Sequence, residues 1–247
     1  MKKRKRLILA AVACVLLLAA LAASAYYISR SRSFQFFGGL VNHVETTQKI
    51  VALTFDDGPT EFTPEILQTL EELDVKATFF LIGSEIEANP QWAQQIADAG
   101  QEIGNHSYSH SRMVFKRYGW IAGEIERTDE LIRETGYDGE ILFRPPNGKK
   151  LLLLPLYLHN HGRKTILWTL EPNSHAEANA SADGIVQSVL ENVQPGSMIL
   201  LHPMYEKAGE TSREALPGIV EGLRAEGYTF VTVSELLAQG EDSSTAP

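Results

Sequence analysis

Cysteine is nearly absent from this chain. Cys14 is the only one among 247 residues, and it lies within an apolar run near the N-terminus. Its plainest interpretation is a small apolar residue inside that run. The part of the chain that follows cannot be held together by disulfide bonds, so its stability must come from a packed core. Any transition metal there must be bound by histidine and carboxylate side chains, because no thiolate is present.

Positive charge is also scarce beyond the first 33 residues. Seven of the 22 lysines and arginines lie in residues 1–33, whereas none of the 31 aspartates and glutamates does. The remainder therefore carries 15 cations against 31 anions, a formal net charge of −16. Nucleic-acid binding depends on lysine and arginine at phosphates, so this composition excludes it. Neither a G-x-G-x-x-G loop nor a Walker motif occurs, and we expect no nucleotide cofactor.

What the N-terminus does contain is a basic block followed by a long apolar run. Residues 2–6 are all lysine or arginine, and residues 7–28 form an uncharged run of 22 residues. As a helix this run would measure about 33 Å, close to the thickness of a bilayer core. A basic block before an apolar segment directs the following domain out of the cytosol.

Two interpretations of this segment stay open. Ala23-Ser24-Ala25 is a small-x-small pattern of the kind that signal peptidase cleaves, and cleavage near Ala25 would release a secreted protein. The apolar run is longer than the usual core of a signal peptide, which favours an uncleaved membrane anchor. We therefore predict an extracytoplasmic protein divided into a cytoplasmic basic stub plus signal-anchor or signal peptide over 1–33, a linker over 34–48, one catalytic domain over 49–239 and a flexible tail over 240–247.

Short β-rich segments alternate with amphipathic helical patterns from about residue 49 onward. The segments with strand character are residues 50–55, 77–82, 102–105, 141–143, 165–170, 198–201 and 229–233. The helical patterns between them cover residues 65–73, 92–99, 121–134, 185–193 and 215–225. This alternation predicts an α/β fold with a mainly parallel sheet. An open doubly wound sheet is one alternative, but seven strand–helix units favour a closed or nearly closed barrel, in which chemistry gathers at the C-terminal strand ends.

Polar side chains follow two of these strands in a pattern that suits a metal ion. The first strand runs into Asp56-Asp57, and adjacent carboxylates in an extended chain point to opposite sides, so one could bind a metal while the other handles a proton. The third strand runs into His106 and His110, a spacing that places two imidazoles on one side of a helical turn. Two histidines and one carboxylate serve Zn²⁺, Fe²⁺ and similar ions. A polar turn and a chance pair of surface histidines are the alternatives.

Two further strand ends carry candidate site residues. The fourth strand leads into a proline-stiffened loop in which Arg144 could hold one of the two aspartates as a bidentate fork, and the Asn147 amide is the remaining donor near the bend. The alternative is an arginine that only ties two loops together. Near the end of the sixth strand, Leu200 and His202 share one face and would suit a small pocket for a methyl group. A partly buried histidine at a strand end is the plainer interpretation.

Taken in order, these elements resemble the polysaccharide deacetylase family, the NodB-homology domain or carbohydrate esterase family 4. The resemblance covers about residues 46–237. The matching motifs are Thr54-Phe55-Asp56-Asp57-Gly58-Pro59, His106-Ser107-Tyr108-Ser109-His110, Arg144-Pro145-Pro146-Asn147-Gly148 and Leu200-Leu201-His202. The resemblance implies a distorted (β/α)7 barrel with a groove over the strand ends, as a single catalytic domain after the N-terminal membrane segment.

The resemblance also implies roles for the acidic and histidine residues. Asp57, His106 and His110 match the ligands of one divalent metal ion, usually Zn²⁺, with Co²⁺ or another divalent ion as the alternative. Asp56 matches the catalytic base that activates the attacking water, and Arg144 matches the residue that orients this base.

The remaining matches imply contacts to the substrate and its leaving group. His202 matches the general acid that protonates the departing amine, and the Asn147 amide can help to hold the oxyanion that develops on attack. Leu200 lines the pocket for the acetyl methyl group. Pro146 and Trp168 are further expected substrate contacts.

One motif departs from the family pattern. The fourth motif usually pairs an aspartate with a tryptophan after the fifth strand, and here we align Ser174 and His175 with that pair. The missing aspartate normally supports the acid histidine, and Glu171 is a candidate substitute. Asn147 also replaces a more usual aromatic residue, although a backbone amide role survives that change.

Together these features favour a metal-dependent hydrolase that removes N-acetyl groups from N-acetylated sugars. The expected substrate is a cell-envelope or extracellular polysaccharide, such as peptidoglycan or a chitin-like oligomer, and the expected contact with the membrane is through the N-terminal segment. The altered fourth motif and the anchor motivate an alternative, a non-catalytic metal-binding envelope protein of the same fold that acts in binding or morphology.

Overall fold

The computed structural model describes residues 2–244, an α/β fold preceded by a long helix. That helix, α1 (Lys2–Arg30), is by length and composition able to cross a membrane. The strands are β1 (Leu40–Val41), β2 (Ile50–Asp56), β3 (Thr78–Leu81), β4 (Glu102–Asn105), β5 (Thr165–Ile166), β6 (Met198–Leu201) and β7 (Thr229–Val231). The other helices are α2 (Thr63–Glu72), α3 (Gly83–Ala88), α4 (Pro90–Asp98), α5 (Tyr118–Glu134), α6 (Leu153–Asn160), α7 (Ala182–Asn192), α8 (Glu206–Ala225) and α9 (Val233–Ser244).

Five of the strands form one parallel sheet. Its order is β4-β3-β2-β6, and β7 also pairs with β2. The register places Phe55 beside Phe79 and Leu53 beside Ile199. All seven residues of β2 are buried, as expected for the central strand of a parallel sheet that is covered on both faces. The predicted α/β fold with a parallel sheet is confirmed.

The strands predicted at 141–143 and 165–170 are shorter than expected. Phe143 makes only isolated parallel bridges, to Asn105 and Thr165, and β5 contains two residues. The two prolines that follow Arg144 have no N–H to continue a ladder. Within residues 2–244 continuous ladders form only the five-stranded sheet and the β1–β5 pair, so closure of the predicted (β/α)7 barrel stays a prediction.

Two segments predicted as irregular contain regular elements. The segment predicted as a linker over 34–48 contains β1, which pairs in parallel with β5. Further along, the Val44 N–H donates to the Gly196 carbonyl at 3.1 Å. At the other end, α9 continues to Ser244, and the rest of the predicted flexible tail lies outside the described residues.

Helices α2, α4, α5 and α7 each bury one face in the core. In α5 the buried positions include Ile121, Ile125 and Ile132, which recur at helical spacing. The rings of Phe55 and Phe79 meet edge to face at the centre of the core, with centroids 5.1 Å apart. Because all paired strands of the sheet are parallel, the C-terminal ends of β2, β4 and β6 meet at one edge, which is where the candidate site residues lie.

A pair of glycines tests how firmly the 34–48 segment is held. Gly196 has φ of 82°, and a Cβ there would overlap the Val44 carbonyl. Gly136 has φ of 87°, but a Cβ there meets nothing within 4 Å. We expect Gly136→Ala to cost only the left-handed backbone penalty, roughly 1–2 kcal/mol. Gly196→Ala should lower the melting temperature further, as followed by circular dichroism. Equal melting temperatures would show that the Val44 contact contributes nothing.

Candidate active site

Asp56 and Asp57 lie where β2 leaves the sheet, and their carboxylates have different surroundings. Asp56 is the last residue of the strand. Asp57 has φ of 75°, and its N–H donates to the Phe80 carbonyl at 3.1 Å. This left-handed step turns the chain, so that Asp56 meets Arg144 while Asp57 faces His110. The two carboxylates share His106, whose Nε2 lies 3.5 Å from Asp56 Oδ2 and 3.9 Å from Asp57 Oδ1, and they differ in their other partners. The chain is not extended at Asp57, so this difference comes from the left-handed step and not from strand alternation.

His106 and His110 come together, although not on a helical turn. The residues after β4 form an irregular loop in which Ser107 has φ of 67° and His110 has φ of 53°. The His106 N–H donates to the Leu81 carbonyl at 2.9 Å, which continues the pairing with β3. The two imidazole rings lie with centroids 5.0 Å apart. The spacing therefore identified two histidines that lie together, but the predicted helical turn was wrong, because left-handed residues fold the loop.

Asp57, His106 and His110 form a candidate metal site. Their ligand atoms all lie within 4.8 Å of one another. Asp57 Oδ1 lies 3.4 Å from His110 Nε2 and 3.9 Å from His106 Nε2. His106 Nδ1 lies 2.8 Å from the Arg144 carbonyl oxygen, a contact that fixes the ring and directs Nε2 towards Asp57. Asp57 Oδ1 is buried and has no hydrogen-bond partner in the described chain. This orphaned oxygen and the two imidazoles fit a divalent transition metal.

Arg144 is fully buried and holds the other carboxylate. Its NH1 donates to Asp56 Oδ1 at 2.6 Å and to Thr54 Oγ1 at 3.0 Å, and its NH2 donates to the Leu167 carbonyl at 2.9 Å. The guanidinium also lies over the Phe80 ring, 4.0 Å from its centroid. The partner that the sequence left open is therefore Asp56, and the arginine ties β2 to the segment after β5.

The charges around Asp56 fix its protonation state. Burial raises the pKa of the Asp56 carboxyl, but Arg144, His106 and His202 together outweigh it, so the pKa lies below its usual range. Asp56 is therefore an ionised carboxylate near neutral pH. Burial lowers the pKa of His106, against the opposing effect of Asp56 and Asp57, which favours the neutral imidazole that a metal requires.

His202 has a neighbour that sequence reasoning missed. The side-chain amide of Asn173 lies against His202 Nδ1, with its nitrogen at 3.1 Å and its oxygen at 3.4 Å. Neither Ser174 nor Glu171 occupies this place, and Glu171 instead pairs with Arg32 at 3.2 Å. The short 3₁₀ turn Pro172–Ser174 brings Asn173, one residue before the aligned Ser174, against His202.

A cavity of about 440 Å³ brings most of the predicted residues together. Those lining it are Asp56, Asp57, His106, His110, Asn147, Trp168 and His202. Arg144 lies behind Asp56. Leu200 is buried and packs against Leu167 and Trp168, both of which line the cavity, so Leu200 supports the wall rather than forming it. Pro146 is likewise buried. Gly148 of the third motif and Glu171, the candidate substitute for the missing aspartate, also line it. Sequence reasoning missed the rest of the lining, which is Arg30, Arg32, Arg112, Lys149 and Leu167.

Comparison with known proteins decides the family. Residues 43–166, about half of the chain, match the polysaccharide deacetylase family. The chain belongs to this family. It is 34% identical over 205 residues to a peptidoglycan-N-acetylglucosamine deacetylase of Bacillus cereus, which covers 78% of this chain and 91% of that protein. The resemblance predicted from the motifs is therefore confirmed.

Two further polysaccharide deacetylase relatives show how the domain is used elsewhere. The chain is 39% identical over 193 residues to a bifunctional xylanase/deacetylase of Pseudobutyrivibrio xylanivorans, covering 76% of this chain but only 30% of that protein. The crystal structure of a carbohydrate esterase family 4 pseudoenzyme from Bacillus anthracis superposes with a TM-score of 0.72 at 30% identity, covering 81% of this chain and 69% of that one. The fold therefore occurs in a catalyst and in a protein described as a pseudoenzyme.

The candidate metal site leads to a test by thermal unfolding. A ligand that binds only the folded state stabilises it by about 2.7 kcal/mol when its free concentration is 100 times Kd. Added Zn²⁺ should therefore raise the melting temperature of the wild-type chain, and a chelator should reverse the rise. Asp57→Asn should abolish it, whereas Glu171→Gln, a change in the same cavity, should keep it. A rise of the same size in Asp57→Asn would place the ion elsewhere.

Proposed function

We propose that the chain is a metal-dependent deacetylase that hydrolyses the N-acetyl groups of a sugar polymer in the cell envelope, peptidoglycan or a chitin-like oligomer. One observation carries the proposal: a candidate metal trio, a carboxylate bound by a buried arginine and a histidine share one cavity. The family, and the peptidoglycan deacetylase among its relatives, support the same reaction.

The metal ligands and the base activate the water that attacks the acetyl group. Asp57, His106 and His110 would hold the divalent ion, most simply Zn²⁺, which when bound supplies Lewis-acid polarisation of the acetyl carbonyl and of water. Asp56 takes the proton of the attacking water as its oxygen adds to the carbonyl carbon. Arg144 keeps this carboxylate ionised and oriented.

Asn147 and His202 act on the carbonyl oxygen and on the departing amine. The two amides that follow Asn147 donate to proline carbonyls, whereas the Asn147 N–H is not among these donors in the described chain. It can therefore donate to the carbonyl oxygen as negative charge develops there. His202 gives a proton to the sugar nitrogen as the C–N bond breaks, and the products are acetate and a free amine. Leu167 and Trp168, backed by Leu200, form the apolar wall for the acetyl methyl group.

The proposed setting is extracytoplasmic, with α1 as a membrane anchor. Its apolar length and the basic residues before it support this placement. Cleavage near Ala25 is the alternative and would release the protein. In either case Arg30 and Arg32 would remain part of the cavity wall.

The decisive test is acetate release from chitin-like oligomers and from peptidoglycan by the metal-loaded chain. Asp56→Asn keeps the shape of the side chain but removes the base, so we expect activity to fall by at least about 10²-fold. The metal-dependent rise in melting temperature should persist in this variant, which separates loss of the base from loss of the ion. Acetate release that is undetectable on every substrate, or unchanged in Asp56→Asn, would contradict the proposal.

A second candidate function is a non-catalytic metal-binding envelope protein that acts in binding or morphology. The observation that favours it is Asn173, a neutral amide where the family usually places an aspartate beside the acid histidine. The similarity to a pseudoenzyme of the same family adds support. Complementation of a deletion strain by an Asp56→Asn, His202→Ala double variant would favour this function, and failure to complement would favour the enzyme.

Asn173 also gives a prediction about turnover. A carboxylate beside His202 stabilises positive charge on the imidazole, and a charged hydrogen bond is roughly twice as strong as a neutral one. We expect Asn173→Asp to raise kcat, by up to about tenfold, and to extend the alkaline limb of the pH–rate profile. Asn192→Asp, which adds the same charge on α7, is the control and should change neither. An unaltered profile in Asn173→Asp would show that this neighbour does not influence the acid.

A further inference from the structure

Positive charge collects on one wall of the active-site cavity. Arg30, Arg112 and Lys149 all line the cavity that contains the candidate metal trio. They lie close enough to affect one another: partial burial, and then the charges of Arg30 and Arg112, lower the pKa of Lys149. Like charges repel, so this arrangement is unfavourable without an anion nearby. It is the more notable because residues 34–247 carry a formal net charge of −16.

Within residues 2–244 these three cations form no ion pair. The ion pairs found in residues 2–244 include Arg32 with Glu171, but none of them involves Arg30, Arg112 or Lys149. Arg112 donates from Nε to Asn147 Oδ1 at 3.2 Å, and Arg30 donates to the Tyr26 hydroxyl. Both bonds are to neutral partners, so neither guanidinium has a carboxylate in direct contact, and the carboxylates of the same cavity are engaged elsewhere: Asp56 by Arg144 and Glu171 by Arg32.

Arg30 reaches the wall because the residues on either side of it, at the end of α1, are hydrogen-bonded to Lys150. The Lys150 N–H donates to the Ser29 carbonyl at 3.1 Å, and Lys150 Nζ donates to the Ser31 carbonyl. One residue further, the Arg32 guanidinium lies over the Trp168 ring, 4.8 Å from its centroid. Contacts on both sides of Arg30 therefore hold it against the cavity.

The position of the cluster relates it to the substrate. Arg112 is bound to the side chain of Asn147, whose backbone N–H is the proposed oxyanion donor. An anion held by the cluster would thus lie beside the acetamido group that reacts. Arginine and lysine bind carboxylates and phosphates through charge-assisted hydrogen bonds, and such bonds are the stronger kind.

We propose that Arg30, Arg112 and Lys149 form a subsite for an anionic group, a carboxylate or a phosphate, carried by the glycan next to the sugar that is deacetylated. This inference rests on the proposed deacetylase function and narrows its substrate to an acidic polymer. A neutral chitin-like oligomer would be the poorer substrate.

The test compares matched acidic and neutral substrates with the full chain in neutral detergent. Peptide-free peptidoglycan strands carry lactyl carboxylates, and methyl esterification removes their charge without shortening the glycan. We expect kcat/KM for acetate release to favour the acid over the ester by about tenfold, the size of one charged hydrogen bond. Lys149→Gln and Arg112→Gln should each reduce this preference by about three- to tenfold. Raising the salt concentration should reduce it as well.

Lys76→Gln is the matched control. It removes the same charge at the N-terminal end of β3, the opposite edge of the sheet, and should leave the preference unchanged. A wild-type chain that turns over acid and ester equally, or a Lys76→Gln effect as large as that of Lys149→Gln, would overturn the subsite. An oligomer bearing a phosphate ester, used as a competitor, separates the two anions. Stronger inhibition by it than by the carboxylate strands assigns the subsite to phosphate.

Two further measurements keep the subsite distinct from the deacetylase proposal. Calorimetric binding of the acid and ester strands to Asp56→Asn reports the charge preference even when no acetate is released. A preference in binding without turnover would support the subsite and contradict only the deacetylase function. Acetate release by the full chain in phosphatidylcholine vesicles, with and without phosphatidylglycerol, tests whether the cations bind an anionic membrane surface instead. If Lys149→Gln alters only the response to phosphatidylglycerol, the cations serve the membrane surface and the proposal is wrong.

Discussion

The buried guanidinium of Arg144 is the interaction on which the rest of the site depends. It donates to Asp56, to Thr54 and to the Leu167 carbonyl, while its own carbonyl oxygen lies 2.8 Å from His106 Nδ1. Removing an ion pair from water costs several kcal/mol per charge, and only good geometry with further hydrogen bonds offsets this cost. The arginine therefore cannot shift without disturbing Asp56, His106 and the sheet together. Loss of one partner of such a pair costs about 3–5 kcal/mol.

This ion pair also decides how the two adjacent carboxylates are used. Because Arg144 neutralises Asp56, the cavity does not contain two uncompensated negative charges, and the lowered pKa of Asp56 keeps it able to accept a proton. Asp57 is then the one carboxylate of the candidate metal trio, beside two imidazoles. A divalent ion held there would keep an excess of positive charge, which would favour negative charge on the carbonyl oxygen of a substrate.

The parts of the site that the sequence predicts are those fixed by chain direction. Parallel strands bring their C-terminal ends to one edge, so residues that follow β2, β4 and β6 had to meet, and Asp56, His106 and His202 do. The parts that it missed depend on backbone conformations without a strong sequence signal. Left-handed residues rather than a helical turn bring His110 to His106. A 3₁₀ turn places Asn173, one residue away from the aligned position, against His202.

The cluster of Arg30, Arg112 and Lys149 could not be predicted from the sequence, for a different reason. Its members come from three separate segments, and Arg30 belongs to a stretch that the sequence assigns to membrane insertion rather than to catalysis. Only the contacts of Lys150 with the residues around Arg30 show that this stretch is also a wall of the cavity.

Asn173 and the three cations of the cavity both affect how easily His202 can carry a positive charge. His202, acting as a general acid, would have to carry a proton in a cavity that holds three arginine or lysine charges without ion pairs and, when loaded, a divalent ion, with Asp56 as the nearby carboxylate. Asn173 supplies no negative charge to balance them, whereas Coulomb attraction from a substrate anion would act across the whole cavity. An acidic glycan would therefore bring its own counter-charge to the acid, and a neutral one would not. On this argument the neutral Asn173 and the three cations act together, and discrimination between acidic and neutral substrates would arise in the proton transfer as well as in binding.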